Sequence, residues 1–206
     1  MPARLKATTY LLLPVFIYGC ILGCTVSSPP IRHLQLATGT GLAPAARDYP
    51  VIALDAVAVP DYLLRDELVL RDGPYSLRYD SNRRWAEPVD LGIQRVMAAR
   101  LGALLGTRQV VSFPRAPRLP VDWELTLDVH EFETYNDKAI LRAEGRWEQV
   151  GDKESLSIVV SFDESLPLPL QEEQAAASAL SSLLWRFAEE LAQPLLVHTD
   201  AAQKRQ

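Results

Sequence analysis

The chain has 206 residues, with 26 acidic and 21 basic side chains, a formal net charge of −5 and 48% hydrophobic residues. This hydrophobic content excludes a disordered chain, and the length fits one domain of ordinary size. The acidic balance argues against a nucleic-acid partner, because neutralising phosphates requires a basic surface. The only two cysteines lie within the first 24 residues, so the remainder can form neither an internal disulfide nor a cysteine-based metal site.

The first 23 residues have the pattern of a secretory signal peptide. Arg4 and Lys6 precede an almost continuous apolar run at 10–22. A transmembrane helix needs roughly 20 apolar residues, so this run is too short to span a bilayer and fits an export signal better.

The signal ends in a pattern that favours lipidation. Ile21-Leu22-Gly23-Cys24 resembles the lipobox of bacterial lipoproteins, which implies that Cys24 becomes the acylated first residue, carrying palmitate-type chains. The alternatives are that Cys24 is simply an apolar signal residue, or that Cys20 is the acceptor. We prefer Cys24 because the bulky Tyr18 stands where the Cys20 pattern would normally have a small or aliphatic residue.

A short tether, residues 24–30, connects this anchor to the folded domain. The six residues from Thr25 to Pro30 extend about 20 Å at most, so we expect the domain to stay close to its membrane. Thr25 stands where aspartate would signal inner-membrane retention, which by resemblance to the enterobacterial sorting rule points to the outer membrane. Loss of Arg4 and Lys6 with the signal leaves a charge of −7, so we expect acyl chains and not basic residues to hold the protein at the membrane.

Several short strands are predicted before the first helix. Pro60 ends one apolar run, and a Gly73-Pro74 turn separates two others. The predicted strands are 31–36, 51–59, 68–70 and 75–79.

Glu87-Pro88 opens the first predicted helix, because a proline in the first turn lacks only an N–H that would be unpaired anyway. Apolar residues then follow at spacings of three and four from Val89 to Leu105, which predicts one buried stripe. Met97 lies on this stripe and is therefore assigned to the core.

The segment 122–163 predicts a three-stranded antiparallel meander. Apolar and polar residues alternate through it, and turns are expected at Tyr135-Asn136-Asp137 and Gly151-Asp152-Lys153. His130 falls on the solvent side of its strand, where we expect an ordinary solvated histidine.

A final amphipathic helix is predicted from Gln171 to just before Pro194. The chain thus predicts an α+β domain at 31–196, in two layers: a mostly antiparallel sheet packed against two amphipathic helices. Residues 197–206 are predicted to be a flexible tail.

No combination of residues predicts catalysis or cofactor binding. His33, His130 and His198 lack a histidine or cysteine three or four positions away, and no nucleophile elbow or phosphate-binding loop occurs. The pair Glu131 and Glu133 is a weak acid–base candidate, since acids near hairpins commonly serve solubility. We therefore expect a protein that is not an enzyme, without metal or cofactor.

The most distinctive segments combine aromatic residues, arginine and proline. Tyrosine, tryptophan and arginine are enriched at interface hot spots, but the same residues could pack the core or stiffen a loop, and both interpretations stay open. The candidate partner-binding or motif residues are Pro60, Asp61, Tyr62, Arg65, Arg71, Arg84 and Trp85.

These residues carry a family resemblance. The blocks Val57-Ala58-Val59-Pro60-Asp61-Tyr62-Leu63-Leu64-Arg65, Leu68-Val69-Leu70-Arg71 and Arg84-Trp85-Ala86-Glu87-Pro88-Val89 resemble the PqiC-like family of ABC-type transport auxiliary lipoproteins. The chain departs from this family's pattern at His33-Leu34, where paired tyrosines are common, and at Leu64, where aspartate is common.

The resemblance implies a lipoprotein on the periplasmic face of the outer membrane, within an envelope lipid-transport system that supports membrane integrity. The implied partners are a periplasmic protein built of mammalian-cell-entry (MCE) domains and inner-membrane transporter subunits, with the lipoprotein arranged as a homo-oligomeric ring. An alternative function is a periplasmic lipid-binding carrier lipoprotein, whose own cavity would hold the ligand.

Overall fold

The computed structural model describes residues 29–40, 50–115, 119–151, 156–168 and 174–203. Cys20, Cys24 and the predicted turn at 152–153 lie outside these residues. The elements in chain order are β1 (Arg32–Leu34), β2 (Ile52–Leu54), a 3-10 turn (Asp61–Leu63), β3 (Glu67–Gly73), β4 (Ser76–Trp85), α1 (Val89–Leu105), β5 (Val110–Ser112), β6 (Trp123–Tyr135), β7 (Lys138–Gln149), β8 (Ser157–Pro167) and α2 (Ala175–Gln203).

The sheet is organised around β6. Along one edge β6 pairs antiparallel with β7 over its whole length, and β7 pairs in turn with β8. The other edge of β6 is shared by two strands: β2 pairs in parallel with its beginning, and β3 pairs in parallel with its last two residues. β5 extends the sheet beyond β2, and β4 and then β1 extend it beyond β3.

The predicted meander and the α+β class are confirmed, but the sheet is mixed and not simply antiparallel. The antiparallel pairs are the long hairpins formed by chain neighbours, whereas the parallel pairs, such as Ile52 with Val110 and with Trp123, join segments distant in sequence. The strand β5 was not predicted, because three apolar residues after a helix carry no recognisable period.

The first predicted helix is confirmed as α1. Pro88 is its N-cap and Gly106, with φ of 66°, ends it in the left-handed conformation that glycine adopts without strain. Met97 is fully buried in the core, as predicted.

The prediction that the last helix ends before Pro194 is wrong. α2 runs from Ala175 through Pro194 to Gln203, into the segment predicted as a tail. Leu191 and Leu195, on either side of this proline, are both fully buried. Pro194 lacks the N–H that would donate a helical hydrogen bond, and for this reason a proline is usually taken to end a helix. Here the burial of both leucines offsets the cost of the missing bond.

α2 packs on the sheet face that carries Trp147 and Phe162. The Trp147 indole N–H donates to the Leu191 carbonyl at 3.0 Å, and the Phe162 and Phe187 ring centroids lie 5.2 Å apart. A Cβ at Gly145 would lie 2.4 Å from the Leu191 side chain, so glycine allows this close approach. The side chains of this face form the core, and we call the opposite face of the sheet the outer face.

Within the described residues, no helix is long and apolar enough to cross a membrane. That part of the chain also holds no group of three or more histidine, cysteine or acidic side chains arranged to bind a metal ion.

Candidate docking surface

A β-bulge in β6 creates the centre of the candidate surface. Val129 pairs with Ala143 and Glu131 pairs with Arg142, so His130 is an extra residue without a partner in the ladder. The apolar residues of β6 stand at odd positions before the bulge, whereas the next inward aromatic, Phe132, stands at an even one. The bulge therefore turns Glu133 from the helix-covered face to the outer face.

The segment 60–66, which we call the motif loop, covers this part of the outer face. Ala58 still forms backbone hydrogen bonds with β6, from its N–H to Leu127 O and from Val129 N–H to its own carbonyl, each 2.9 Å. Pro60 then starts the 3-10 turn, and Leu63 is buried. The Tyr62 hydroxyl donates to the His130 carbonyl at 3.3 Å, so the carbonyl released by the bulge becomes an attachment point for the loop.

Glu133 forms a buried ion pair beneath the motif loop. Its side chain is fully buried, and its Oε1 accepts a hydrogen bond from Arg71 Nε of β3, whose side chain is 21% exposed. Glu133 Oε2 is also buried and has no hydrogen-bond partner among the described residues. The folded state therefore needs Arg71 as the counter-charge of this carboxylate, because an uncompensated buried charge is strongly destabilising.

The same environment changes the pKa of Tyr62. Burial, followed by the negative charge of the neighbouring Glu133, raises the pKa of Tyr62 from 10.0 to about 12. Tyr62 therefore stays protonated and able to donate a hydrogen bond across the physiological pH range.

This shift predicts an alkaline loss of stability. Because the folded-state pKa lies above the unfolded value of 10.0, the contribution of Tyr62 is complete below pH 10 and is lost as the pH rises towards 12. We expect the unfolding free energy of the unmodified protein to fall, relative to that of Tyr62→Phe, between about pH 10 and about pH 12. Urea titrations of both proteins measure this difference, and parallel pH profiles would contradict it.

The motif loop presents four exposed side chains above this support, and Asp66 is one of them. Asp61 and Arg65 are exposed, and Leu64 is 55% exposed. The Arg65 guanidinium lies 4.7 Å from the ring centroid of Tyr79 in β4, a cation–π contact that holds it against the sheet. The loop thus displays an acidic, an apolar, a basic and a second acidic side chain in fixed order on a rigid base.

The remaining two motif residues lie elsewhere. Arg84 faces Glu67 across the β3–β4 hairpin, with 3.7 Å between Nη2 and Oε1. Trp85 is buried and stacks on Phe132, with centroids 6.3 Å apart. For Trp85 the structure therefore supports the core interpretation that the sequence left open.

Sequence reasoning identified Tyr62 and Arg71 but missed the residue that joins them. Glu133 was considered only as a weak acid–base candidate, whereas it is the buried partner of Arg71. The sequence does contain a signal for the bulge that turns Glu133 outward. In β6 the apolar residues stand at odd positions up to Val129, and the next one, Phe132, stands at an even position. His130 is exposed, as predicted.

Comparisons with known proteins agree on the fold. An uncharacterized protein of known crystal structure superposes with a TM-score of 0.64 at 18% identity, covering 82% of this chain and 99% of its own. Protein XCC0632 from Xanthomonas campestris superposes with a TM-score of 0.56 at 14% identity, covering 86% and 98% respectively. A search of curated proteins found no match.

The α+β fold is thus shared with these solved structures, and the family is defined by sequence. Residues 33–192 match the family model described as ABC-type transport auxiliary lipoprotein component. This match covers more than half of the chain, from β1 well into α2. The chain belongs to the ABC-type transport auxiliary lipoprotein component family.

Proposed function

We propose that this protein is a lipid-anchored subunit on the periplasmic face of the outer membrane, and that it docks the MCE component of an intermembrane lipid transport system. In this function it supports envelope integrity and catalyses no reaction. The observation that carries the proposal is the motif loop, whose exposed Asp61, Leu64 and Arg65 stand on a support made by Tyr62, Arg71 and the fully buried Glu133.

The construction of the loop favours binding to another protein. Leu64 exposes more than half of its surface although Leu63 beside it is buried, so the segment presents apolar area while its backbone is held in place. A fixed loop loses little conformational entropy on association, which leaves more of the contact energy as affinity. Asp61 and Arg65 are exposed in the same loop and supply charge complementarity for partner selection.

The lipobox pattern and the lipoprotein family support the proposed attachment to the membrane. Acylation of Cys24 would attach the mature chain permanently, because several acyl chains bind far more strongly than the marginal single chain. The inner-membrane transporter subunits and a homo-oligomeric ring are part of the same proposal, and both derive from the family resemblance.

Leu64→Asp is expected to reduce recovery of the MCE protein in detergent pull-downs by about tenfold or more, which corresponds to about 1.4 kcal/mol of binding free energy. The physical reason is that a charge would replace the central apolar contact of the motif loop. The experiment captures the acylated full-length protein from solubilised envelopes and quantifies co-purified MCE protein by mass spectrometry.

Leu91→Asp is the matched control, because Leu91 on α1 is 51% exposed and Leu64 is 55% exposed. This control should retain normal recovery. Equal losses in both variants would show a general effect of the added charge, and no MCE protein with the unmodified chain would contradict the docking function itself.

A further inference from the structure

The strand β8 lies at an edge of the sheet. Within the described residues it pairs with β7 and with no other strand. It has 11 residues, whereas β1 and β5, which also lie at edges, have 3 residues each. Its ladder with β7 continues from Ser157 to Pro167 without a bulge. A long and regular edge of this kind is a template on which another strand can pair.

The hydrogen bonds at the two ends of this ladder show which backbone groups point off the edge. The Gln149 N–H donates to the Leu156 carbonyl at 3.0 Å, and the Leu168 N–H donates to the Asp137 carbonyl at 2.6 Å. Alternate residues of an antiparallel strand direct both backbone groups to the same neighbour. The even-numbered residues of β8 therefore bond to β7, and the odd-numbered residues direct their N–H and C=O groups outward.

The side chains of β8 do little to protect this edge. Edge strands are commonly guarded by lysine, by a bulge or by proline, and β8 has only Pro167, at its last position. Its two charged residues each have an arginine partner: Asp163 lies 3.0 Å from Arg142, and Glu164 lies 2.9 Å from Arg186. The strand therefore carries no uncompensated charge that would repel a neighbour.

The hydrophobic core is incompletely covered at the same edge. Ile158, Val160 and Leu166 of β8 pack against the core but stay partly exposed. In β7 the register partners Trp147 and Ala139 are fully buried. Cross-strand neighbours cover one another's side chains, so a further strand at this edge would bury the apolar surface that β8 leaves open.

The sequence of β8 is compatible with antiparallel pairing to a second copy of itself. A twofold register centred on Phe162 pairs all 11 residues of the strand. It sets Ile158 opposite Leu166 of the second copy, and Ser161 opposite Asp163 of the second copy. No acid then lies directly opposite an acid, whereas a register centred on Asp163 would oppose two like charges. Length and charge therefore favour the register centred on Phe162.

We propose that β8 is a contact between two copies of this chain, whose edge strands pair antiparallel and join the two sheets into one. Side chains directly opposite each other in such a pair lie on the same face, so the outer faces of both copies point the same way. The two motif loops then face one side together, an arrangement that raises avidity for a partner with two sites. This twofold contact joins like surfaces, whereas a cyclic ring joins unlike ones.

Paired cysteines test this register directly. In the double variant Val159→Cys with Ser165→Cys, each new cysteine lies opposite the other one in the second copy, with Cβ atoms roughly 5 Å apart, which is near the reach of a disulfide. Within one chain the two positions are about 20 Å apart along the strand, so a disulfide between them has to join two copies. The two single variants are the matched controls, because identical positions lie far apart in this register.

The full-length proteins are oxidised in isolated membranes and separated on non-reducing gels. The unmodified chain, whose only cysteines are Cys20 and Cys24, gives the background. We expect a covalent dimer from the double variant and background levels from both single variants. Equal crosslinking in single and double variants, or none above background, would overturn the pairing, and a larger oligomer without this disulfide would do so while leaving the ring of the proposed function intact.

Opposite charges at one exposed position provide a second test. Ser161→Asp sets an acid opposite Asp163 of the second copy, whereas Ser161→Lys sets a base there. We expect Ser161→Asp to raise the dissociation constant of the dimer about tenfold or more, because two such contacts form in each dimer, and Ser161→Lys to leave it unchanged or lower. Analytical ultracentrifugation of the full-length proteins in detergent measures both constants. Equal weakening by the two variants, or an unmodified chain that stays monomeric at every concentration, would overturn the pairing.

Discussion

Arg71→Ala is expected to lower the free energy of unfolding by about 3 kcal/mol, because it leaves the fully buried Glu133 carboxylate without its counter-charge. Oε2 of this carboxylate already lacks a hydrogen-bond partner among the described residues. Urea denaturation followed by tryptophan fluorescence measures the change. An effect below about 1 kcal/mol would place the pair among ordinary surface ion pairs and contradict the buried-support interpretation.

The double variant Arg71→Leu with Glu133→Leu separates the loss of a charge partner from general damage. Replacing both members of a buried pair by apolar residues of similar volume is often neutral, so we expect the double variant to recover most of the lost stability. Leu64→Asp provides a second comparison, because it changes an exposed position of the motif loop and should leave stability nearly unchanged. A double variant as unstable as Arg71→Ala would show that the arginine acts through packing.

Local periodicity was sufficient to predict the elements that bury one regular face. The stripe from Val89 to Leu105 predicted α1, and the alternation from Trp123 onwards predicted β6 and its antiparallel partners. In these segments a side chain's environment follows from its position in the repeat, since the same face of each element packs against the core.

The features that sequence reasoning missed depend on contacts between distant segments. The parallel pairing of β2 with β6 joins residues about seventy positions apart, and no local pattern encodes it. α2 continues through Pro194 because Leu191 and Leu195 are both fully buried, and the sheet contacts Leu191 through Trp147. This tertiary effect outweighs the local preference of proline.

Only part of the candidate surface was predictable, because it too depends on contacts between distant segments. Tyr62 and Arg71 belong to the blocks that carry the family resemblance, whereas Glu133 reaches them only through the bulge at His130. An acid near a hairpin resembles many solvated acids in sequence, and its burial results from a loop that lies some seventy positions earlier in the chain.

Cys24→Ala is expected to abolish acylation and either to release the protein from the membrane fraction or to stall its maturation. The reason is that the lipid anchor requires the thiol of this one residue, and the described residues contain no helix that could replace it as a membrane span. Palmitate labelling in cells, followed by separation of membranes from soluble periplasm, measures both effects.

Cys20→Ala is the matched control, since Cys20 is the second cysteine of the signal region and would be discarded with the peptide. We expect it to leave labelling and membrane attachment intact. Labelling that survives Cys24→Ala but disappears in Cys20→Ala would move the anchor four residues upstream and lengthen the tether by about 13 Å.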